Sequence, residues 1–132
     1  GGVALRVLNA APSIAVVDVG TGNGATFKPL FLGLPFGQAS SKPPGPVPDA
    51  TAPSVNTNGY LRMQSLSGVT LSAHRPNATT DTVITTGLSA ASGTVLTVAL
   101  VGGTSGGVAA RLLECVDNAG TVGPLSNCKI LP

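Results

Sequence analysis

The chain has two cysteines, Cys115 and Cys128, and their chemistry can be inferred most directly from the sequence. Their spacing predicts a disulfide bond that closes a C-terminal loop over residues 115–128. A bridge around a loop of about 14 residues stabilises a fold by ~3 kcal/mol in the chain-entropy description, and it indicates a compartment outside the reducing cytosol. The alternatives are two free thiols, or a nucleophilic cysteine that uses His74, the one histidine, as its base.

The remaining polar residues do not form a recognisable catalytic or metal-binding pattern. Two cysteines and one histidine are too few for a zinc site. Glycine-rich segments at 20–24 and 102–107 lack the Lys-Ser/Thr pair and the helix that follow a phosphate-binding loop, so they predict turns. The carboxylates are not spaced as an acid–base pair; they are Asp18, Asp49, Asp81, Glu114 and Asp117. We therefore expect a protein that is not an enzyme and has no cofactor and no metal.

One modification motif is present. Asn77, followed by Ala78 and Thr79, matches the acceptor pattern for N-linked glycans. It comes just after Arg75-Pro76, in a segment expected to be an exposed loop. The match is short, and its meaning depends on whether the protein comes from a eukaryotic secretory pathway or from a bacterium.

Charge is sparse throughout the chain: 9% of the residues are charged and the net charge is +2. A nucleic-acid partner is not expected, because phosphate binding requires clustered Lys and Arg. Disorder is not expected either, since 42% of the residues are hydrophobic. Residues 82–110 contain no charge, but Ser, Thr and Gly interrupt them repeatedly, so they predict two strands and a turn rather than a membrane span.

The hydrophobic pattern has the period of β-strands. At the start of the chain, Val3, Leu5 and Val7 alternate with Ala4, Arg6 and Leu8, as expected for a half-buried strand. Strands are predicted at residues 3–8, 14–19, 27–36, 60–64, 69–75, 81–86, 94–101 and 108–116. These elements predict an all-β, antiparallel, immunoglobulin-like β-sandwich of about seven or eight strands, in one domain over residues 1–132.

Several details of this sandwich follow from the residue types. The strand at 94–101 is the most apolar and is expected at the centre of a sheet. The segment at 27–36 contains prolines and predicts an irregular or edge strand, and its three phenylalanines are expected in the core. Segments 60–64 and 69–75 resemble a hairpin around Ser67-Gly68. Residues 40–58 are rich in proline and predict a long inserted loop.

A string of short motifs gives the chain a family resemblance. They are residues 5–12 (LRVLNAAP), 17–19 (VDV), 34–37 (LPFG), 60–61 (YL), 69–71 (VTL), 93–102 (GTVLTVALVG) and 112–114 (LLE). In this order the motifs resemble the bacterial domain-of-unknown-function 4397 family of secreted and cell-envelope domains. The chain differs from the family pattern at Asn9, where the family usually has histidine, in the loop at 40–58 and in the tail at 115–128. The resemblance implies a β-sandwich and an exported location, and it implies no catalytic residues.

The expected function is structural. A β protein with so few charges is biased toward strand pairing between copies, which suggests a self-associating subunit of a surface filament or layer at the cell exterior. The first strand, with Val3, Leu5 and Val7, is a candidate for pairing between subunits, and pairing within its own chain is the alternative. The signal peptide is expected to have been removed. The other hypothesis is a secreted binding or adhesion module for a glycan or protein ligand, although the chain has only four aromatic residues with which to contact a sugar.

Overall fold

The computed structural model describes residues 2–40, 58–64, 66–76, 82–103, 109–117 and 127–132, and these residues form two β-sheets packed face to face. Sheet A has the strand order β4-β1-β7-β8-β9, and sheet B has the order β3-β2-β5-β6. One turn of 3-10 helix, Gly24–Thr26, lies between β2 and β3. The strands are β1 (Val3–Asn9), β2 (Val16–Thr21), β3 (Lys28–Pro35), β4 (Leu61–Met63), β5 (Leu66–His74), β6 (Thr82–Ala90), β7 (Val95–Val101), β8 (Arg111–Val116) and β9 (Cys128–Ile130).

The predicted β-sandwich is therefore confirmed, and the alternation read in the first strand explains how its core is built. Val3, Leu5 and Val7 are at most 1% exposed in β1, whereas Arg6 and Leu8 point away from the partner sheet and are half-buried. Strand β7 contributes Leu96, Val98 and Leu100 to the same core from the middle of sheet A, as predicted. Strand β9, at the edge of this sheet, was not predicted.

Two strands expected to form a hairpin belong to different sheets. Strand β4 pairs with β1 in sheet A, whereas β5 lies between β2 and β6 in sheet B. Leu61 and Leu66 are both buried in the core, one contributed from each sheet. The hairpin prediction is wrong because the chain crosses between the sheets here, so that both leucines can face the interior.

Strand β3 is an irregular edge strand, as its prolines predicted. Its pairing with β2 contains register shifts, and Gly33 has a φ of 64°. Of the three phenylalanines expected in the core, only Phe31 is fully buried. Phe36 is 48% exposed because it lies just past the end of β3, and Phe27 is only partly covered.

The two ends of the proline-rich segment meet beside β1. Ser40 Oγ donates to the Gly59 carbonyl at 2.8 Å and accepts from the Val7 N–H at 3.1 Å. The Ser40 N–H donates to the Val7 carbonyl at 2.7 Å. Residues 41–57, the body of the predicted loop, and the predicted glycan acceptor Asn77 lie outside the described residues.

Candidate functional site

The predicted disulfide is present. Cys115 of β8 and Cys128 of β9 are opposite each other in the register of sheet A, and their sulfur atoms are bonded at 2.05 Å. Their Cα atoms are 4.1 Å apart. The bond attaches the last described strand to the sheet, and Leu131 just beyond it is buried and donates its N–H to the Leu112 carbonyl.

Strand β1, the candidate for pairing between subunits, pairs within its own chain. It lies between β4 and β7, with which it forms the pairs Leu5↔Leu61 and Leu5↔Leu96. The side chains of Val3, Leu5 and Val7 fill the core. Pairing of β1 with a second copy would first require the loss of these contacts, so an interface between copies fits better at strands whose edges are free.

A connected polar cluster lies on the outer face of sheet A, formed by Arg6, Tyr60, Thr97 and Asp117. The guanidinium carbon of Arg6 lies 4.7 Å from the centroid of the Tyr60 ring, a cation–π contact. The Tyr60 hydroxyl donates to Asp117 Oδ2 at 2.7 Å, and the Thr97 hydroxyl donates to the same oxygen at 2.6 Å. Arg6 Nε donates to Thr97 Oγ1 at 3.1 Å, and an Arg6 nitrogen lies 3.9 Å from Asp117.

This cluster was missed in the sequence because its members are far apart in the chain. The strand register brings Arg6 opposite Thr97, and the chain just before β4 places Tyr60 beside Arg6. The one available signal was that Arg6 and Thr97 occupy outward positions in otherwise apolar strands. That signal does not identify their partners, because pairing of β1 with β7 depends on the whole topology of sheet A.

We expect Tyr60 to titrate above its ordinary pKa of 10.0. Partial burial of the phenol, its hydrogen bond to Asp117 and the negative charge of that carboxylate raise the pKa of Tyr60, while Thr97 and Arg6 act in the opposite direction. Tyr60 is the only tyrosine and the chain has no tryptophan, so ultraviolet absorbance reports its ionisation directly. Because the folded protein holds this proton more tightly than the unfolded chain does, the stabilisation is complete below the unfolded pKa and is lost as pH rises through the folded pKa.

The control for this titration is Asp117→Asn, which keeps the shape of the side chain and removes its charge. The pKa of Tyr60 should then fall toward 10.0 without reaching it, because the largest cause of its elevation is burial. An unchanged titration in this variant would show that Asp117 does not act on the phenol.

A second polar group lies on the outer face of sheet B and is buried. His74 is fully buried, and its ring stacks on Phe27 with the centroids 4.0 Å apart. His74 Nε2 lies 3.2 Å from Asn23 Oδ1, and Ser72 Oγ donates to the Gly22 carbonyl at 2.6 Å. These contacts hold the turn after β2 against the sheet.

Histidine, serine and aspartate occur together here, as they do in many hydrolases, and the hydrogen bonds of Ser72 and Asp18 connect β5 to the turn after β2 and β2 to β3. The hydroxyl of Ser72 is directed to backbone, and it also lies 2.9 Å from Thr85 Oγ1. Asp18 is 8% exposed and accepts the Gly33 N–H at 2.8 Å, which fixes the irregular strand β3. These side chains tether the segment from β2 to β3, and their contacts explain why polar residues are tolerated in this buried layer.

The outer face of sheet A also carries a row of apolar side chains. Leu8, Ala99, Leu113 and Ile130 are opposite one another across β1, β7, β8 and β9. Ile130, at the edge of the sheet, is 53% exposed, whereas Ala99, in the central strand β7, is 7% exposed. The solvent face of a monomeric protein usually carries more charge than this. The row of apolar side chains therefore gives this face little electrostatic repulsion toward other molecules.

Among the described residues, no three side chains of histidine, cysteine, aspartate or glutamate lie close enough together to bind a metal ion. The same part of the chain contains no helix with the length and apolar character needed to span a bilayer.

Comparisons with family models, with curated proteins and with solved structures found no match to this chain. The resemblance to the bacterial domain-of-unknown-function 4397 family thus stays a prediction, based on motifs that the structure places in β1, β2, β5, β7 and β8, at the end of β3 and at the start of β4.

Proposed function

We propose that the protein is a non-enzymatic structural protein of the cell exterior whose copies associate through β-strand pairing, as subunits of a surface filament or layer. The observation that carries this proposal is the scarcity of charge on an all-β fold. The whole chain contains seven basic and five acidic residues. A two-sheet sandwich has edge strands that can accept another strand, and charged side chains are one of the protections against such pairing.

The disulfide supports the proposed location at the cell exterior. Cys115 and Cys128 are bonded, and disulfides persist in oxidising compartments such as the periplasm and the cell exterior. An exported location is also what the family resemblance implies. A protein that acts outside the cell benefits from a covalent link between β8 and β9, because that link holds the buried Leu131 in place.

The second candidate function is a secreted module that binds a glycan or a protein ligand. The observation in its favour is the cluster of Arg6, Tyr60, Thr97 and Asp117, which combines an aromatic ring, a cation and a carboxylate on the outer face of sheet A. Sugar-binding sites use this combination of a ring to pack on and polar groups to orient hydroxyls.

Analytical ultracentrifugation of the full chain, together with negative-stain microscopy, tests the first proposal. We expect species larger than a monomer whose population rises with protein concentration. A strict monomer at the highest attainable concentration would contradict self-association. Binding to a glycan array that is abolished by Tyr60→Ala would favour the second candidate.

A further inference from the structure

We propose that two copies of the chain pair through β6, edge to edge and antiparallel, so that their two B sheets join into one continuous sheet. This inference rests on the proposed self-association and identifies the surface that carries it. It assigns that role to β6 in place of β1, which is enclosed in sheet A.

Among the residues that the structure describes, β6 has a free edge. It is the last strand of sheet B and pairs only with β5 in that sheet. In an antiparallel pair, alternate residues direct both their N–H and their C=O away from the partner strand. Within the described part of the chain, no backbone group outside β5 hydrogen-bonds to the backbone of β6. Its contact with the C-terminal residues is made by a side chain, since Thr86 Oγ1 donates to the Pro132 carbonyl at 2.6 Å.

The other three edges of the sandwich carry protective features. Strand β3 contains Lys28, Pro29 and Pro35, and its pairing with β2 is interrupted by register shifts. Strand β4 has three residues, with Arg62 exposed at its centre, and β9 has three residues, with Lys129 exposed at its centre. Prolines, bulges, short length and positive charge are the usual means by which natural sheets prevent pairing at their edges.

Strand β6 has none of these protections along its middle. It is nine residues long and contains no charged residue and no proline. Its residues 84–88 pair with residues 73–69 of β5 in uninterrupted register, and the irregularities fall outside this stretch. This stretch is the longest regular, uncharged edge among the described strands.

The chemistry of this edge fits a second copy of itself. The exposed residues Thr85, Gly87 and Ser89 alternate along it and are uncharged. When the strand pairs with itself in an antiparallel two-fold arrangement, no like charges are placed opposite each other. A strongly acidic or basic segment would find no complementary charge on β6. Pairing through this edge alone closes into a dimer, and growth into a filament or layer requires a second contact surface.

The test introduces charge at the centre of the edge. A β-carbon at Gly87 would meet no heavy atom within 4 Å, and Gly87 is not among the glycines with positive φ, so Gly87→Lys is compatible with the fold. In a pair centred on Thr86, the two introduced lysines would be diagonal neighbours on one face, with their backbones about 7–8 Å apart. We expect the dissociation constant of the dimer, measured by analytical ultracentrifugation, to rise several-fold, by up to about fivefold.

Two control variants separate charge at this edge from other effects. Gly87→Thr adds a neutral residue with high strand propensity and should leave association intact. Ala25→Lys adds the same charge at an exposed position in the turn between β2 and β3 and should also leave association intact. Circular dichroism confirms that each variant is folded. An equimolar mixture of Gly87→Lys and Gly87→Glu should associate again, because opposite charges then lie across the interface.

The outcomes distinguish this inference from the proposed function. If the wild-type protein associates and Gly87→Lys associates equally well, β6 is not the interface, although self-association stands. If the mixture of oppositely charged variants fails to associate, the loss does not arise from charge at this edge and the inference is overturned. A monomeric wild-type protein would overturn both the inference and the proposed function.

Discussion

Replacing Phe31 with alanine is expected to lower the free energy of unfolding by about 3–5 kcal/mol, the usual cost of truncating a fully buried phenylalanine. Phe31 is 0% exposed and is the one phenylalanine that lies wholly in the core. The chain has no tryptophan, and Phe31 is the largest fully buried side chain among the described residues, in a core cluster whose other buried members are aliphatic. Urea denaturation followed by circular dichroism measures the loss.

The same substitution at Phe36 is the matched control. Phe36 lies five positions along the chain and is 48% exposed, so Phe36→Ala should cost less than about 1 kcal/mol. If Phe31→Ala does not fold, Phe31→Leu should still report a loss of about 1–2 kcal/mol. Equal effects at positions 31 and 36 would contradict the placement of Phe31 in the core.

Replacing Asn9 with alanine is expected to cost about 3–4 kcal/mol, because its side chain satisfies three buried backbone groups. Asn9 is 0% exposed. Its amide nitrogen donates to the carbonyls of Ile14 at 2.9 Å and Leu34 at 3.2 Å, and its amide oxygen accepts the Ala11 N–H at 3.2 Å. Alanine would leave all three groups without this partner in a part of the core that water does not reach.

Gln38→Ala is the control for Asn9. The Gln38 carbonyl accepts the Asn9 backbone N–H at 3.1 Å, and that bond survives the substitution. Because the Gln38 side chain is exposed, its loss should change the free energy of unfolding by less than about 0.5 kcal/mol. A small effect of Asn9→Ala in the same urea titration would show that the three backbone groups find other partners.

The local features of the fold could be predicted because they depend on residues close together in the chain. The alternation of Val3, Leu5 and Val7 identified the buried face of β1, and the apolar run in β7 identified a central strand. The spacing of Cys115 and Cys128 identified the disulfide. Each of these signals is a periodicity or a spacing that a β-sheet imposes directly.

Features that depend on distant pairing could not be predicted in this way. The sequence around Ser67 is compatible with a hairpin, and only the need to bury Leu61 and Leu66 from opposite sheets separates β4 from β5. The two polar clusters form from residues on different strands, so neither was visible before the register was known. The role of Asn9 was noted only as a departure from the histidine of the resembling family, whereas the structure gives it three hydrogen bonds.

The parallel pairing of β1 with β7 has a consequence for how the chain acquires its structure. Ala4 is opposite Val95, so β1 can pair with β7 only after about ninety further residues have been synthesised. All four strands of sheet B lie between these two in the chain. Non-local contacts of this kind slow folding. During synthesis, sheet B can therefore assemble before sheet A is complete, and its apolar inner face is then exposed to aggregation and to chaperones until β7 emerges.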